Sequence, residues 1–269
     1  MGSVVTSVGR IGLMEAGGGT ATPILFLHGV GSDKSVWQRQ LAHFGAGRRA
    51  IAIDYPGYGE SEPSATATHD DFALAALATL DALEIEHAHI CGLSLGGVVA
   101  IAIHALARGR CASLILADTF VVHPDGQAIH DRSVAASHAM SMRDLAEARA
   151  AMLLGTGASD EVKAEVIATM GAIDPAAYRL GAAAVWLADQ HGRVAAIDVA
   201  TLILVGEEDG ITPPALSDAL AALAGSAARR PPPVTLHTIA HAGHLANLEQ
   251  PAAFNAAIDR FLLAREGVA

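Results

Sequence analysis

Short, largely apolar runs recur along this chain at residues 24–27, 88–91, 114–117 and 201–205, each closed by a glycine, a histidine or an acid. A run of that length bounded by turn residues reads as a parallel strand buried on both faces, where no polar alternation is needed. Residues 234–239 alternate instead, as a strand with one wetter face does, and a proline then opens an amphipathic helix over residues 251–264. Gly17-Gly18-Gly19 reads as a turn between two N-terminal strands. Strand-like and helix-like segments alternate from Ile24 to Asp118, and then the alternation stops. From residue 120 to 196 the chain is rich in Ala, Met and Leu at helical spacing, with no buried strand, and strand logic resumes at Thr201. The expected fold class is α/β: a mostly parallel central sheet flanked by helices, formed by residues 1–119 and 197–269. Residues 120–196 are expected to be a helical cap inserted over the C-terminal sheet edge, where open α/β sheets bind ligands. There is no internal repeat.

Composition narrows the function classes without naming one. The 269 residues can hold one large α/β domain with an insertion. A hydrophobic content of 52% against 17% charged residues suits a compact chain and not a disordered one. No apolar run approaches the roughly 18 residues of a membrane span, and no basic-then-apolar signal pattern opens the chain. The net charge of −11 argues against nucleic acid or an anionic membrane surface as partner. Cys91 and Cys111 fall in or beside buried strands and read as core thiols of a reduced, cytoplasmic protein, with a catalytic Cys91 as the weaker alternative. Arg229-Arg230 before Pro231-Pro232-Pro233 reads as a solvated loop.

The most informative stretch is Gly92-Leu93-Ser94-Leu95-Gly96, placed between a strand-like run and a helical segment at residues 98–107. A serine on a sharp strand-to-helix turn needs small neighbours, which Gly92, Gly96 and Gly97 supply, and the helix that follows aims free N–H groups at charge developing there. A Gly-rich nucleotide-binding turn is the competing reading, but the Gly-x-Gly-x-x-Gly spacing is absent.

A serine hydroxyl needs a base, an acid to orient that base, and donors for an oxyanion. His244 follows the strand at residues 234–239 on a loop, where a base can reach the serine. His237 reads as a strand-surface residue. His241 with His244 would make a His-x-x-His metal pair, yet no carboxylate or cysteine completes a ligand pattern, so no metal and no cofactor are expected. Asp209 closes the strand Thr201-Leu202-Ile203-Leu204-Val205-Gly206 and is the favoured acid; Glu207, Glu208 and Asp118 remain alternatives by chemistry or position. The turn His28-Gly29-Val30-Gly31 ends another apolar strand, and its glycines let backbone N–H groups face inward. The N–H groups of Val30 and Leu95 are expected to form the oxyanion hole, with His28 stabilising the turn.

These segments resemble the α/β-hydrolase superfamily. His28-Gly29-Val30-Gly31 is similar to its oxyanion turn, and Asp54-Tyr55-Pro56-Gly57-Tyr58-Gly59-Glu60-Ser61 to its Asp-x-x-Gly-x-Gly-x-Ser loop. Gly92-Leu93-Ser94-Leu95-Gly96-Gly97 is similar to its nucleophile elbow, and Asp209 and His244 to its acid and base segments. Leu116-Ala117-Asp118-Thr119 and Asn247-Leu248-Glu249-Gln250-Pro251 further resemble the β-ketoadipate enol-lactone hydrolases, which implies hydrolysis of a small lactone carrying a carboxylate. A serine at position 94 sets the chain apart from the aspartate-nucleophile branches.

The expected partner is therefore a small-molecule ester or lactone, cleaved through Ser94, Asp209 and His244; a homodimer is left open. Candidate substrate contacts are His28, Gly29, Trp186, Met140, Met152 and Arg132, with Met142, Leu153, Arg143, Arg149 and Arg179 as further cap candidates. Arg143 with Glu147 also fits a plain i,i+4 pair. A diketone carbon–carbon hydrolase, a cofactor-free perhydrolase and a ligand receptor with a silent triad remain the alternative functions.

Overall fold

The computed structural model describes residues 2–65 and 67–266. Eight strands form one sheet: β1 (Gly2–Thr6), β2 (Gly9–Ala16), β3 (Ile24–Leu27), β4 (Ala50–Ile53), β5 (Ala88–Leu93), β6 (Cys111–Ala117), β7 (Thr201–Gly206) and β8 (Val234–Ile239). Their spatial order is β1-β2-β4-β3-β5-β6-β7-β8. β1 and β2 pair antiparallel, as do β2 and β4; every pairing from β4 through β3 to β8 is parallel. Every residue of β3, β4, β5 and β7 is buried, as their largely apolar runs lead one to expect. The edge strand β8, whose sequence alternates, is only partly buried.

The helices are α1 (Gln38–Phe44), α2 (His69–Ala82), α3 (Leu95–Leu106), α4 (Gly126–Ala139), α5 (Met142–Leu153), α6 (Asp160–Gly171), α7 (Pro175–Trp186), α8 (His191–Ala195), α9 (Pro214–Leu223), α10 (Ala246–Glu249) and α11 (Pro251–Glu266). α3 packs on β5 and β6 and against α2, while α1 packs against α11. Side-chain caps set several starts: Thr68 and Asp71 form a reciprocal capping box on α2, and Ser141, Ser159 and Asp174 accept backbone N–H bonds at α5, α6 and α7. Helices α4 to α8 all lie between β6 and β7 in the chain, with α5 packed on α6 and α4 on α7.

Register explains where a site can form. Leu27 pairs with Gly92, Leu93 with Ala117, Ala117 with Leu204, and Gly206 with Ile239. The C-terminal ends of β3, β5, β6, β7 and β8 therefore lie along one edge. The turn after β3, the β5–α3 turn, the loop after β7 and the loop after β8 all open there. Gly17-Gly18-Gly19 lies between β2 and β3, strands separated in the sheet by β4. No described helix is long and apolar enough to cross a membrane.

Candidate active site

Ser94 caps the start of α3 with φ 56° and ψ −115°, a left-handed backbone that costs a non-glycine residue on the order of 1–3 kcal/mol. The surroundings hold it there. Ser94 N donates to Ala117 O at 2.9 Å, and Thr119 Oγ1 donates to Ser94 O at 3.0 Å. A Cβ on Gly92 would strike Gly96 O, and one on Gly96 would strike Leu27 O, so the turn closes only with hydrogen at both positions. Ser94 is 2% exposed, and its Oγ has no hydrogen-bond partner among the described residues.

His244 lines the same cavity as Ser94. Its Nδ1 lies 2.9 Å from Asp209 Oδ2 and 3.3 Å from Thr212 Oγ1. Asp209 is bound on every side: Oδ1 accepts from Ile211 N at 2.8 Å and Thr212 N at 2.9 Å, and Oδ2 accepts from Thr212 Oγ1 at 2.6 Å. Burial alone would raise the Asp209 pKa, but the attraction of His244 and the donors from His244 and Thr212 outweigh it. The carboxyl is held well below the ordinary carboxylate range. An ionised acid on Nδ1 fixes the imidazole so that Nε2 carries the lone pair, which is the tautomer a general base needs.

The other acids are committed elsewhere. Glu207 Oε2 accepts from His241 N at 3.1 Å, and Glu208 Oε2 accepts from Thr156 N at 2.7 Å. Asp118 is fully buried, its Oδ1 accepting from Gly206 N at 2.8 Å; burial and the neighbouring Asp209 charge push its pKa well up.

The turn after β3 stands over the serine: a Cβ on Gly29 would lie 3.4 Å from Ser94 Cβ. Val30 N and Leu95 N donate to no acceptor among the described residues, which leaves both free for an oxyanion. His28 is fully buried between Tyr55 and Tyr58, with ring centroids at 4.4 and 5.0 Å. Its Nδ1 donates to Gly29 O at 2.8 Å while Nε2 accepts from Tyr55 N at 3.4 Å; burial pushes its pKa down, so the neutral ring is favoured. It braces the turn and does not line the cavity, which corrects its place among the substrate contacts. Below it, the Lys34 ammonium lies 2.5 Å from Asp54 Oδ2 and 3.0 Å from Glu60 Oε2, locking the loop after β4.

Of the other expected contacts, Gly29 and Trp186 line the Ser94 cavity, as do Leu153 and Arg149. Arg132 and Met152 line a neighbouring cavity between α4, α5 and the loop after β7. Met140 caps the C-terminus of α4, 40% exposed, and lines neither cavity; neither does Arg179. Arg143 is a surface residue paired with Glu147 at 3.1 Å, and Met142 is buried core. Sequence reading passed over Tyr178 and Ile211, which line the Ser94 cavity, and Thr212, which clamps Asp209. Thr212 carried a signal, a hydroxyl three residues past the acid; Tyr178 and Ile211 carried none. Among the described residues, no group of three or more His, Cys, Asp or Glu side chains is placed to hold a metal ion.

The chain belongs to the alpha/beta hydrolase family, which it matches over residues 24–257. It is 26% identical to 3-oxoadipate enol-lactonase 1 of Acinetobacter baylyi, over 87% of this chain and 86% of that protein. A shorter match, 41% identical over 38% of this chain, is to the dihydrolipoyllysine-residue acetyltransferase component of the acetoin cleaving system of Pseudomonas putida, of which it spans only 28%. Among solved structures, a thermophilic esterase from Thermogutta terrifontis superposes with a TM-score of 0.87 at 25% identity, covering 98% of both chains.

Proposed function

We propose that this protein is a serine hydrolase cleaving a small carboxylic ester or lactone through Ser94, His244 and Asp209, with a 3-oxoadipate enol-lactonase-like reaction as the leading named activity. The observation that carries the reading is the Asp209–His244 hydrogen bond at 2.9 Å in the cavity that also holds the strained, unpartnered Ser94 hydroxyl. In this reading Ser94 Oγ attacks the substrate carbonyl as His244 Nε2 takes its proton. The carbonyl oxygen gains negative charge and is held by the N–H groups of Val30 and Leu95. Collapse of the tetrahedral species expels the alkoxide or enolate, protonated by His244, and leaves an acyl group on Ser94. A water, deprotonated by His244, then releases the acid. Residues 120–196 act as the cap that closes over Ser94, and residues 1–119 and 197–269 as the core. The similarity to an enol-lactonase over 87% of this chain and to an esterase over 98% supports the substrate class.

Steady-state hydrolysis of short aryl esters, small lactones and carboxylated enol-lactones, by wild type and Ser94→Ala in parallel, tests this. The expected result is turnover of at least one class by wild type, reduced on the order of 10⁴-fold or more in Ser94→Ala. Turnover that survives Ser94→Ala would rule the reading out.

A further inference from the structure

One buried carboxyl beside the acid has no part in the reaction above. Asp118 follows β6 with no exposed surface, between Ala117, whose O accepts from Ser94 N at 2.9 Å, and Thr119, whose Oγ1 donates to Ser94 O at 3.0 Å. Its own N donates to Leu204 O at 2.9 Å, and its Oδ1 accepts from Gly206 N at 2.8 Å. Oδ2 accepts from no donor among the described residues, yet the carboxyl stands within hydrogen-bonding reach of the Asp209 carboxyl. Two ionised carboxylates offer each other only lone pairs, so such a contact holds when a proton lies between them.

Asp209 is the poorer place for that proton. Its Oδ1 accepts from Ile211 N and Thr212 N, and its Oδ2 from Thr212 Oγ1 and His244 Nδ1, all of which favour the ionised form. Asp118 has a single backbone donor. The charged groups that act on Asp118 are Asp209 and Glu249, both acids. Among the described residues no lysine or arginine pairs with Asp118 or Asp209. Ionising both would set two buried negative charges against one imidazole, which is costly without a cation.

We infer that Asp118 and Asp209 form a singly ionised pair, in which Asp118 holds the proton on Oδ2 and donates it in a hydrogen bond to Asp209. This rests on the hydrolase reading above for the roles of Asp209 and His244. Asp118 is then a positioning residue that acts on the base through the acid. Its donor draws charge from the Asp209 carboxylate and limits how strongly that carboxylate favours the imidazolium. The backbone at Asp118 is left-handed, φ 47°, a conformation that Asn and Asp adopt more readily than other side chains bar glycine. Asp118→Asn therefore keeps the geometry and supplies an amide N–H where the carboxyl supplies its proton.

Two readouts test the pair without turnover. Infrared difference spectra of wild type against Asp118→Asn near neutral pH read the carbonyl band of a protonated carboxyl. Nuclear magnetic resonance titration of the His244 ring in wild type, Asp118→Asn and Asp118→Ala reads the base, and the acid limb of kcat/KM for nitrophenyl acetate follows it in the active enzyme. Thermal melts establish that each variant is folded; if Asp118→Ala is not, the band and the Asp118→Asn titration decide. The expected result is a protonated-carboxyl band that Asp118→Asn removes and a His244 titration that Asp118→Asn leaves in place. Asp118→Ala, which takes the donor from Asp209, should raise that titration by about one pH unit. An ionised Asp118 would give no such band, and Asp118→Asn would then lower the His244 titration by about one unit by removing a negative charge. Either finding overturns the inference, as does a folded Asp118→Ala whose His244 titrates as in wild type. The band and the expected titrations, without Ser94-dependent hydrolysis, would keep the pair and sink the hydrolase reading. Ser94-dependent hydrolysis without the band would sink the pair alone.

Discussion

At the scale of single residues, four acids compete for one role, and only geometry separates them. Asp118, Glu207, Glu208 and Asp209 all stand at strand ends in the sequence, and of these Asp209 reaches His244 Nδ1. Asp209→Asn would put an amide donor against Nδ1, favouring the wrong tautomer, and is expected to lower kcat by about 10²–10⁴. Asp118→Asn removes no contact to His244 and keeps an oxygen that can accept from Gly206 N, so it should retain most of the wild-type kcat. Assaying the two variants side by side checks the assignment; the reverse pattern would make Asp118 the acid. The Asp209 pKa lies below its unfolded value of about 3.9, so its stabilising contribution is complete above that pH and fades as pH falls toward the folded pKa. Urea midpoints measured from pH 6 downward should therefore fall more steeply in wild type than in Asp209→Asn. The serine, its glycines and the base were legible because a strained turn restricts residue type. Asp209 was favoured from its place three residues past Gly206, but Glu207, Glu208 and Asp118 stayed open, because loop direction is fixed by contacts far away in the chain.

Among the elements, the loop carrying His244 is tied to the helical segment between β6 and β7. His244 N donates to Leu153 O at 2.8 Å, and Glu249 accepts from Gly155 N at 2.7 Å and from Gly243 N at 2.9 Å. One carboxylate thus joins the end of α5 to the loop after β8. Glu249→Ala strands two backbone donors and is expected to cost roughly 1–3 kcal/mol by denaturant unfolding, with a fall in kcat. A stability loss with kcat untouched would mean the junction does not position the base. The strands were readable because burial on both faces leaves a largely apolar signature, as in β3 and β7. Inside residues 120–196 only the helical texture was legible. Which faces of α4, α5 and α7 meet a cavity depends on packing angles that spacing does not encode, so Arg132 and Met152 were expected in one cavity and line another.

For the whole molecule, the parallel register delivers Ser94, the turn after β3, Asp209 and His244 to one sheet edge from four separate loops. Their order in the chain hinted at this, and the interdigitated sheet order β4-β3-β5-β6-β7-β8 accomplishes it. Side chains of α5, α6 and α7, among them Arg149, Leu153, Met170, Tyr178 and Trp186, line the cavity at Ser94 on the same edge. The most direct test is mass spectrometry after exposure to a small activated phosphate ester such as diethyl nitrophenyl phosphate. One diethylphosphoryl adduct per chain on Ser94, forming far more slowly in His244→Ala, is the expected result. An adduct on another residue, or labelling of the Ser94→Ala variant at the wild-type rate, would contradict a Ser94-centred active site.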